Sequence, residues 1–230
     1  RYYKMAADKG HLDSQHDYAV KLYKGDGVAQ NHQEAARYFK MAADEGHLNS
    51  LYNYGILLED GEGVPQDKEK AFEYYQKAAQ EGHACALFKC GYFYINGIAV
   101  PKDVQKAAKY FKEGADNDDD DCMYYYGVLL DDGEGVPANK KEANRYYKMA
   151  ADKGHAKAMY YYAISCEKGD GIPINKSEAY KYFKMGSEHN DTNSMFHLAQ
   201  MLDNGDGIAV NKVEANKLYK KAADQGHTNA

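Results

Sequence analysis

The groups with chemistry to offer in this 230-residue chain are nine histidines, four cysteines and 35 acidic side chains. Five of the histidines stand in Gly-His pairs: Gly10-His11, Gly46-His47, Gly82-His83, Gly154-His155 and Gly226-His227. A zinc site needs three or four ligands converging on one point. Ligands held 36 or 72 residues apart in a fixed register are instead spread along an array, so these histidines read as structural punctuation and no metal is expected. The acidic stretch 116–121 lacks the Gly at the sixth position and the Glu at the twelfth that an EF-hand loop requires. It reads as a solvated turn whose charge favours the start of the helix that follows. Paired glycines such as Gly61 and Gly63 invite a phosphate-loop reading, but no Gly-x-x-x-x-Gly-Lys-Ser/Thr and no third glycine of a dinucleotide fingerprint is present. There is likewise no Gly-x-Ser-x-Gly elbow and no His-Glu-x-x-His, and no cysteine has a His and Asn pairing independent of the repeat. No catalytic residue and no cofactor is therefore expected.

What positions these residues is a repeat. Near-copies of the stretch 60–67, Asp-Gly-Glu-Gly-Val-Pro-Gln-Asp, recur six times at an unbroken spacing of 36 residues. The column Asn31, Asp67, Asp103, Asn139, Asn175, Asn211 keeps the same register, and all four prolines (Pro65, Pro101, Pro137, Pro173) share one column. A fixed period of roughly 20–50 residues is the mark of a solenoid or array. Each unit reads as two helices. Helix A of one unit spans about 49–59, with Ser50, Leu51, Tyr54, Gly55 and Leu58 on its packed stripe. Helix B spans about 68–80, burying Ala71, Tyr74, Tyr75, Ala78 and Ala79. The double glycine ends helix A, and the Asn/Asp column caps helix B. Glu34, Glu142, Glu178 and Glu214 follow three residues later at capping-box spacing. Six A helices and seven B helices follow from this register, a single array made of a partial repeat at 1–10, six repeats at about 11–46, 47–82, 83–118, 119–154, 155–190 and 191–226, and the start of another at 227–230. Neither end looks like a polar cap, so a segment of a longer array is expected.

Composition narrows the function classes. A net charge of −6 with only three arginines argues against nucleic acid, which calls for a basic stripe. No run approaches the ~18 apolar residues of a membrane span, so no membrane insertion by this segment is expected. Cys85, Cys90, Cys122 and Cys166 occupy different columns and suggest no disulfide ladder. They read as small packed thiols in a reducing, cytoplasmic compartment, with the ER lumen the alternative.

The pattern Tyr54-Gly55-x-x-Leu58 followed by Ala71-x-x-x-Tyr75-x-x-Ala78 resembles a tetratricopeptide repeat, but with a longer A–B turn and a shorter B–A link. Gly-x-Gly-Val-Pro-x-Asp, then Lys-Ala-x-x-Tyr-Tyr-x-Lys-Ala-Ala-x-x-Gly-His, is similar to the Sel-one-like (SLR) repeat over the whole chain. The resemblance implies an all-α, right-handed α/α superhelical solenoid of 36-residue helix-turn-helix repeats, with A helices lining a concave face. It also implies a non-enzymatic adaptor or scaffold in multiprotein complexes, including ubiquitin-ligase adaptors of ER-associated degradation. Some cysteine-rich bacterial relatives in this family have been linked to β-lactam binding or hydrolysis, which makes a β-lactam or cell-wall hydrolase the alternative of another class, though their regular cysteine pair is missing here. The pattern weakens at Ala99, in place of the second turn glycine, and at 118–121, in place of a Gly-His junction. It also changes at Gly114 and Gly186, where other B helices carry Ala.

The candidate interaction site is an aromatic column on the A helices: Tyr52, Phe88, Tyr124, Tyr160 and Phe196, with His16 at its head. By analogy with tetratricopeptide helices it points toward the concave groove. Tyr and Phe supply large contact area at low entropic cost, though the same rings have the alternative of packing on the next repeat. Three consecutive aromatics cannot all face a core, so the triplets at 124–126 and 160–162 must expose a member. Tyr124, Tyr125, Tyr160 and Tyr161 are therefore the expected centre of a site for a protein or peptide partner, with end-to-end self-association a further possibility.

Overall fold

A computed structural model describes residues 2–228; Arg1 and the last two residues of the incipient repeat at 227–230 lie outside the described residues. Thirteen helices and no strand occur among the described residues. The B-type helices are α1 (Tyr2–Ala7), α3 (His32–Asp44), α5 (Lys68–Gln80), α7 (Val104–Asp116), α9 (Lys140–Asp152), α11 (Lys176–Glu188) and α13 (Lys212–Asp224). The A-type helices are α2 (Leu12–Lys24), α4 (Leu48–Asp60), α6 (Ala84–Asn96), α8 (Asp120–Asp132), α10 (Ala156–Lys168) and α12 (Thr192–Asn204). This is the alternation the register predicts. Two compact units are present, Arg1–Asn117 and Asp118–Ala230. Within each, an A helix packs on the B helix that follows it and, where that helix belongs to the same unit, on the B helix before it.

The helices stop where backbone chemistry tells them to. Each A helix ends at a left-handed glycine (Gly25, Gly61, Gly97, Gly133, Gly169, Gly205) with φ between +66° and +77°, a conformation without penalty only for a residue lacking Cβ. The second turn position is also left-handed, and at Gly63 a Cβ would fall 2.2 Å from the His32 carbonyl oxygen of the preceding repeat. Ala99 adopts the same conformation, φ +56°, despite its methyl group.

Each B helix from α3 onward then starts with an Asn or Asp side chain accepting from the backbone N–H three residues on, at 2.9–3.1 Å. The reciprocal half of the capping box is not needed. The capping residue's own N–H donates to a carbonyl of the preceding A helix, as in Asn31 to Leu22 and Asp67 to Leu58, at 2.8–2.9 Å. The A–B turn is thereby closed by main chain, and the Glu column is free for surface contacts such as Glu142 with Arg145.

The core is built from rings meeting small residues. Tyr75, Phe111 and Tyr147 are fully buried against Gly55, Gly91 and Gly127, where an added Cβ would stand 2.5–2.8 Å from a ring carbon. Burial of each ring stabilises by roughly 2–3 kcal/mol. Two assignments from periodicity need correction. Phe72 and Leu57 are core residues that the stripe omits, whereas Tyr74 is only half-buried. Tyr74 leans along the outer row of B helices and donates its hydroxyl to Asp44 of the previous one, at 2.9 Å. Tyr182 does the same to Asp152 at 2.5 Å, as does Tyr38 to Asp8.

Candidate functional site

The aromatic column sits at the second turn of each A helix, and its surroundings come from the junction that opens the next one. In that junction a left-handed residue is followed by an extended one. Gly46, Gly82 and Gly154 supply the first, with φ of +84°, +78° and +106°. His47, His83 and His155 supply the second, each accepting through Nδ1 from the N–H of the residue three further on, at 3.1–3.3 Å. The histidines are therefore helix N-caps, which their residue type alone does not announce. The neutral ring must carry its proton on Nε2 to accept at Nδ1. The preceding repeat favours that tautomer, with Asp13 3.4 Å from His47 Nε2 and Asp121 3.3 Å from His155 Nε2. Where the histidine is absent the same backbone persists. Asp118 (φ +69°) and Asn190 (φ +62°) take the left-handed place, and Asp119 and Asp191 cap α8 and α12 at 2.8 and 2.7 Å. Asp119 is buried enough that desolvation raises its carboxyl above the usual range despite the cap bond.

These caps engage the predicted column. Tyr52 stacks on His83 (4.7 Å between centroids), Tyr124 on His155 (4.6 Å) and Phe196 on His227 (4.6 Å). Tyr124 is only 7% exposed. Phe88 lies against Tyr92 and Phe111. Tyr160, whose following junction carries Asp191, lies beside Tyr161, Phe183 and His197 instead. The rings of this column thus spend at least one face on their neighbours, the packing alternative that the sequence left open.

The next column is different. It reads Asp17, Asn53, Lys89 in the first unit and Tyr125, Tyr161, His197 in the second, and it faces outward from the A helices. Tyr161 is the exposed member of its triplet, at 38%. One face rests on Tyr147, 5.4 Å away and stacked. His197 stacks likewise on Phe183 at 5.2 Å. Burial and the charge of Lys168 hold the His197 imidazole below its ordinary pKa. Lys89 places its ammonium 5.7 Å from the Tyr75 ring and 2.7 Å from Glu59. Each of these residues covers the ring fourteen positions earlier.

The remaining reactive groups do not converge. None of the four cysteines is in a disulfide, and among the described residues no group of three or more His, Cys, Asp or Glu side chains is placed to hold a metal ion. Cys90 and Cys166 are buried, which pushes their thiols up, away from thiolate. Cys85 departs from the packed-thiol expectation. It is exposed because it lies in the first turn of α6, on the side turned from the core. No helix among the described residues is long and apolar enough to cross a membrane.

Comparison with known proteins agrees with this geometry. A protective antigen of uropathogenic Escherichia coli displaying an SLR fold superposes with a TM-score of 0.93 at 23% identity. The match covers 99% of this chain and 49% of that one, so the present chain spans about half of its length. A Sel1 repeat protein from Oxalobacter formigenes matches with a TM-score of 0.82 at 28% identity, over 93% of this chain and 85% of that one. An immunity protein from Pseudomonas aeruginosa is more distant, with a TM-score of 0.53 at 18% identity, over 93% and 81% of the two chains. No curated protein sequence matches significantly. Sel1 repeat proteins generally serve as protein-interaction scaffolds. The Sel1 repeat model matches residues 1–11, 12–47, 48–83, 86–119, 120–155, 156–191 and 192–227, and the chain belongs to the Sel1 repeat family.

Proposed function

We propose that this chain binds an extended segment or a helix of a partner protein along the outward face of its A helices, the face expected to be concave, and does no chemistry of its own. The observation that carries this reading is Tyr161. A large aromatic side chain 38% exposed on a helix locked between two others is a rigid, partly desolvated contact. Tyr125 stands one repeat earlier in the same column, and Lys157 and Asp121 give the adjoining column mixed charge. Burial of Tyr124 and its stack on His155 narrow the site from the predicted seven residues (Tyr52, Phe88, Tyr124, Tyr125, Tyr160, Tyr161, Phe196) to Tyr125 and Tyr161, with Tyr160 at their margin. The test is capture of partners from a lysate of the source cell by the native chain and by two double variants, each checked for helicity by circular dichroism. Tyr125→Ala/Tyr161→Ala should lose the partner by about tenfold or more, the usual effect of truncating an aromatic anchor. Tyr52→Ala/Phe196→Ala should lose it less than stability alone accounts for. A partner retained equally by the first variant would sink the assignment.

A further inference from the structure

Lys89 and Tyr161 pack alike in two repeats but leave different charges behind. Lys89 covers the ring of Tyr75, and Tyr161 covers the ring of Tyr147. Each covered tyrosine points its hydroxyl at a carboxylate sixteen positions earlier, in the last turn of an A helix. The Tyr75 hydroxyl donates to Glu59 at 2.5 Å, and Lys89 sets its ammonium on the same carboxylate at 2.7 Å. The Tyr147 hydroxyl stands 3.5 Å from Asp131, and Tyr161 brings no charge to it. One repeat further on, His197 holds a ring nitrogen 3.9 Å from Glu167. Of these three carboxylates, Asp131 is the one with no basic side chain in ion-pair contact among the described residues. Burial raises the Asp131 carboxyl above its usual range, and the charges of Asp170 and Asp132 add to the rise. Lys140 opposes them, but its ammonium is bound to Asp170 at 2.5 Å. Lys168, at the end of α10, acts on His197 and not on Asp131. Lys157 shares the column of Asp121, which lies about 15 Å along α8 from Asp131.

We infer that the bound segment carries an arginine whose stem packs on the exposed side of Tyr161 and whose guanidinium pairs with Asp131, supplying from outside the cation that Lys89 supplies from within. A carboxylate partly stripped of water and left without a counter-charge is relieved by an incoming cation. Asp132 and Asp170 against the single charge of Lys140 keep the surroundings net negative, so an acidic segment is repelled and a basic one drawn in. Asp131 is one methylene shorter than Glu59, so the cation must come on a long side chain, and the planar guanidinium matches a carboxylate through two parallel N–H donors. The chain itself pairs guanidinium with phenol, since Arg37 and Arg145 lie over the rings of Tyr38 and Tyr146 at 4.4 and 4.7 Å. The inference rests on the reading that the outward A-helix face receives a protein segment, but its test does not need the partner.

The probes are N-acetyl-L-argininamide and its neutral isostere N-acetyl-L-citrullinamide, titrated at constant ionic strength into protein labelled at its valine and isoleucine methyls and aspartate carboxyls. The arginine probe should bind about three- to tenfold more tightly than the citrulline probe, the range of a surface ion pair joined to a cation–π contact. Its binding should shift the Val128 and Ile164 methyl signals and bring the Asp131 carboxyl pKa down. Asp131→Asn should erase the preference for arginine. Tyr161→Lys, which rebuilds the arrangement of Lys89 and Glu59, should lower the Asp131 pKa with no probe present and erase the preference too. Circular dichroism checks that each variant is folded, and if one is not, the other decides. Equal binding of the two probes, an Asp131 carboxyl that does not move, or a preference undiminished in Asp131→Asn would each overturn the inference. Absence of the preference while partner capture still depends on Tyr125 and Tyr161 overturns this inference and leaves the proposed function standing. The preference present with capture indifferent to those tyrosines does the reverse.

Discussion

His155 and Asp119 occupy the same place in successive repeats of one unit, and they share only part of a role. Both are extended residues that follow a left-handed one, and both accept a hydrogen bond from the third N–H of the helix they open. Only His155 also offers a ring, on which Tyr124 stacks. Asp191 repeats the carboxylate solution, and there Tyr160 turns to His197 instead. The repeat thus specifies a backbone path and an acceptor, and the histidine adds a platform that decides where the aromatic column packs. A second contrast lies in the A–B turn, where Gly63 and Ala99 share a left-handed conformation with and without a side chain.

The largest effect should come from erasing that second contrast. Gly63→Ala places a methyl against the His32 carbonyl as well as in an unfavourable φ, and should cost about 3 kcal/mol or more in urea denaturation. The mirror change, Ala99→Gly, should stabilise by about 0.5–1 kcal/mol. Relief of the left-handed strain outweighs the entropy that glycine adds to the unfolded chain. If both substitutions destabilise equally, the third turn holds its alanine without strain and the contrast is void.

The histidine contrast comes next in size. His155→Ala removes both the cap and the stack and should cost about 2 kcal/mol. His155→Asp keeps the cap and loses only the ring, at about 1 kcal/mol. In the aspartate variant the near-ultraviolet circular dichroism of Tyr124 should change while helicity holds. A His155→Asp protein as destabilised as His155→Ala would show that the ring, and not the cap, is what the junction needs.

Most of the fold was legible because the repeat is written in residues with narrow backbone tolerances. Glycine at φ > 0 and Asn or Asp at a helix start each have one physical reason to recur, and six copies in register leave little freedom. The Asp118 departure was visible for the same reason, although the matching substitution at Asn190 and Asp191 was hidden inside a triplet that also reads as a glycosylation sequon. Side-chain reach was not legible. Tyr74 and Phe72 differ by two positions on one helix, and which of them enters the core depends on the neighbouring helix that receives it. The candidate site suffered most. Its first column is aromatic in the sequence itself, but the capping histidines that engage it look there like helix terminators.

The smallest expected effect is the sharpest test of the carboxylate and histidine roles, because pH addresses them separately. The native state holds His197 below its ordinary value of 6.5 through burial and the nearby charge of Lys168. His16 is lowered too, by burial and by His47. Below pH 6.5 the unfolded chain therefore takes up protons that the folded chain refuses. Stability contributed by these two rings is intact above that pH and is lost as pH falls beneath it. Asp119 acts in the opposite sense. Its folded carboxyl is raised above 3.8 by burial, so on acidification the folded state is protonated first and gains relative to the unfolded one. Stability measured by urea from pH 7.5 to 4 should decline below 6.5, and His197→Gln should flatten part of that decline. Asp119→Asn, which keeps a capping oxygen without the charge, should be more stable than the native chain at pH 7, with the gap closing as pH falls through the native carboxyl's raised pKa. A gap that widened toward acid would mean that the charge of Asp119 stabilises α8, and that the two capping chemistries are equivalent after all.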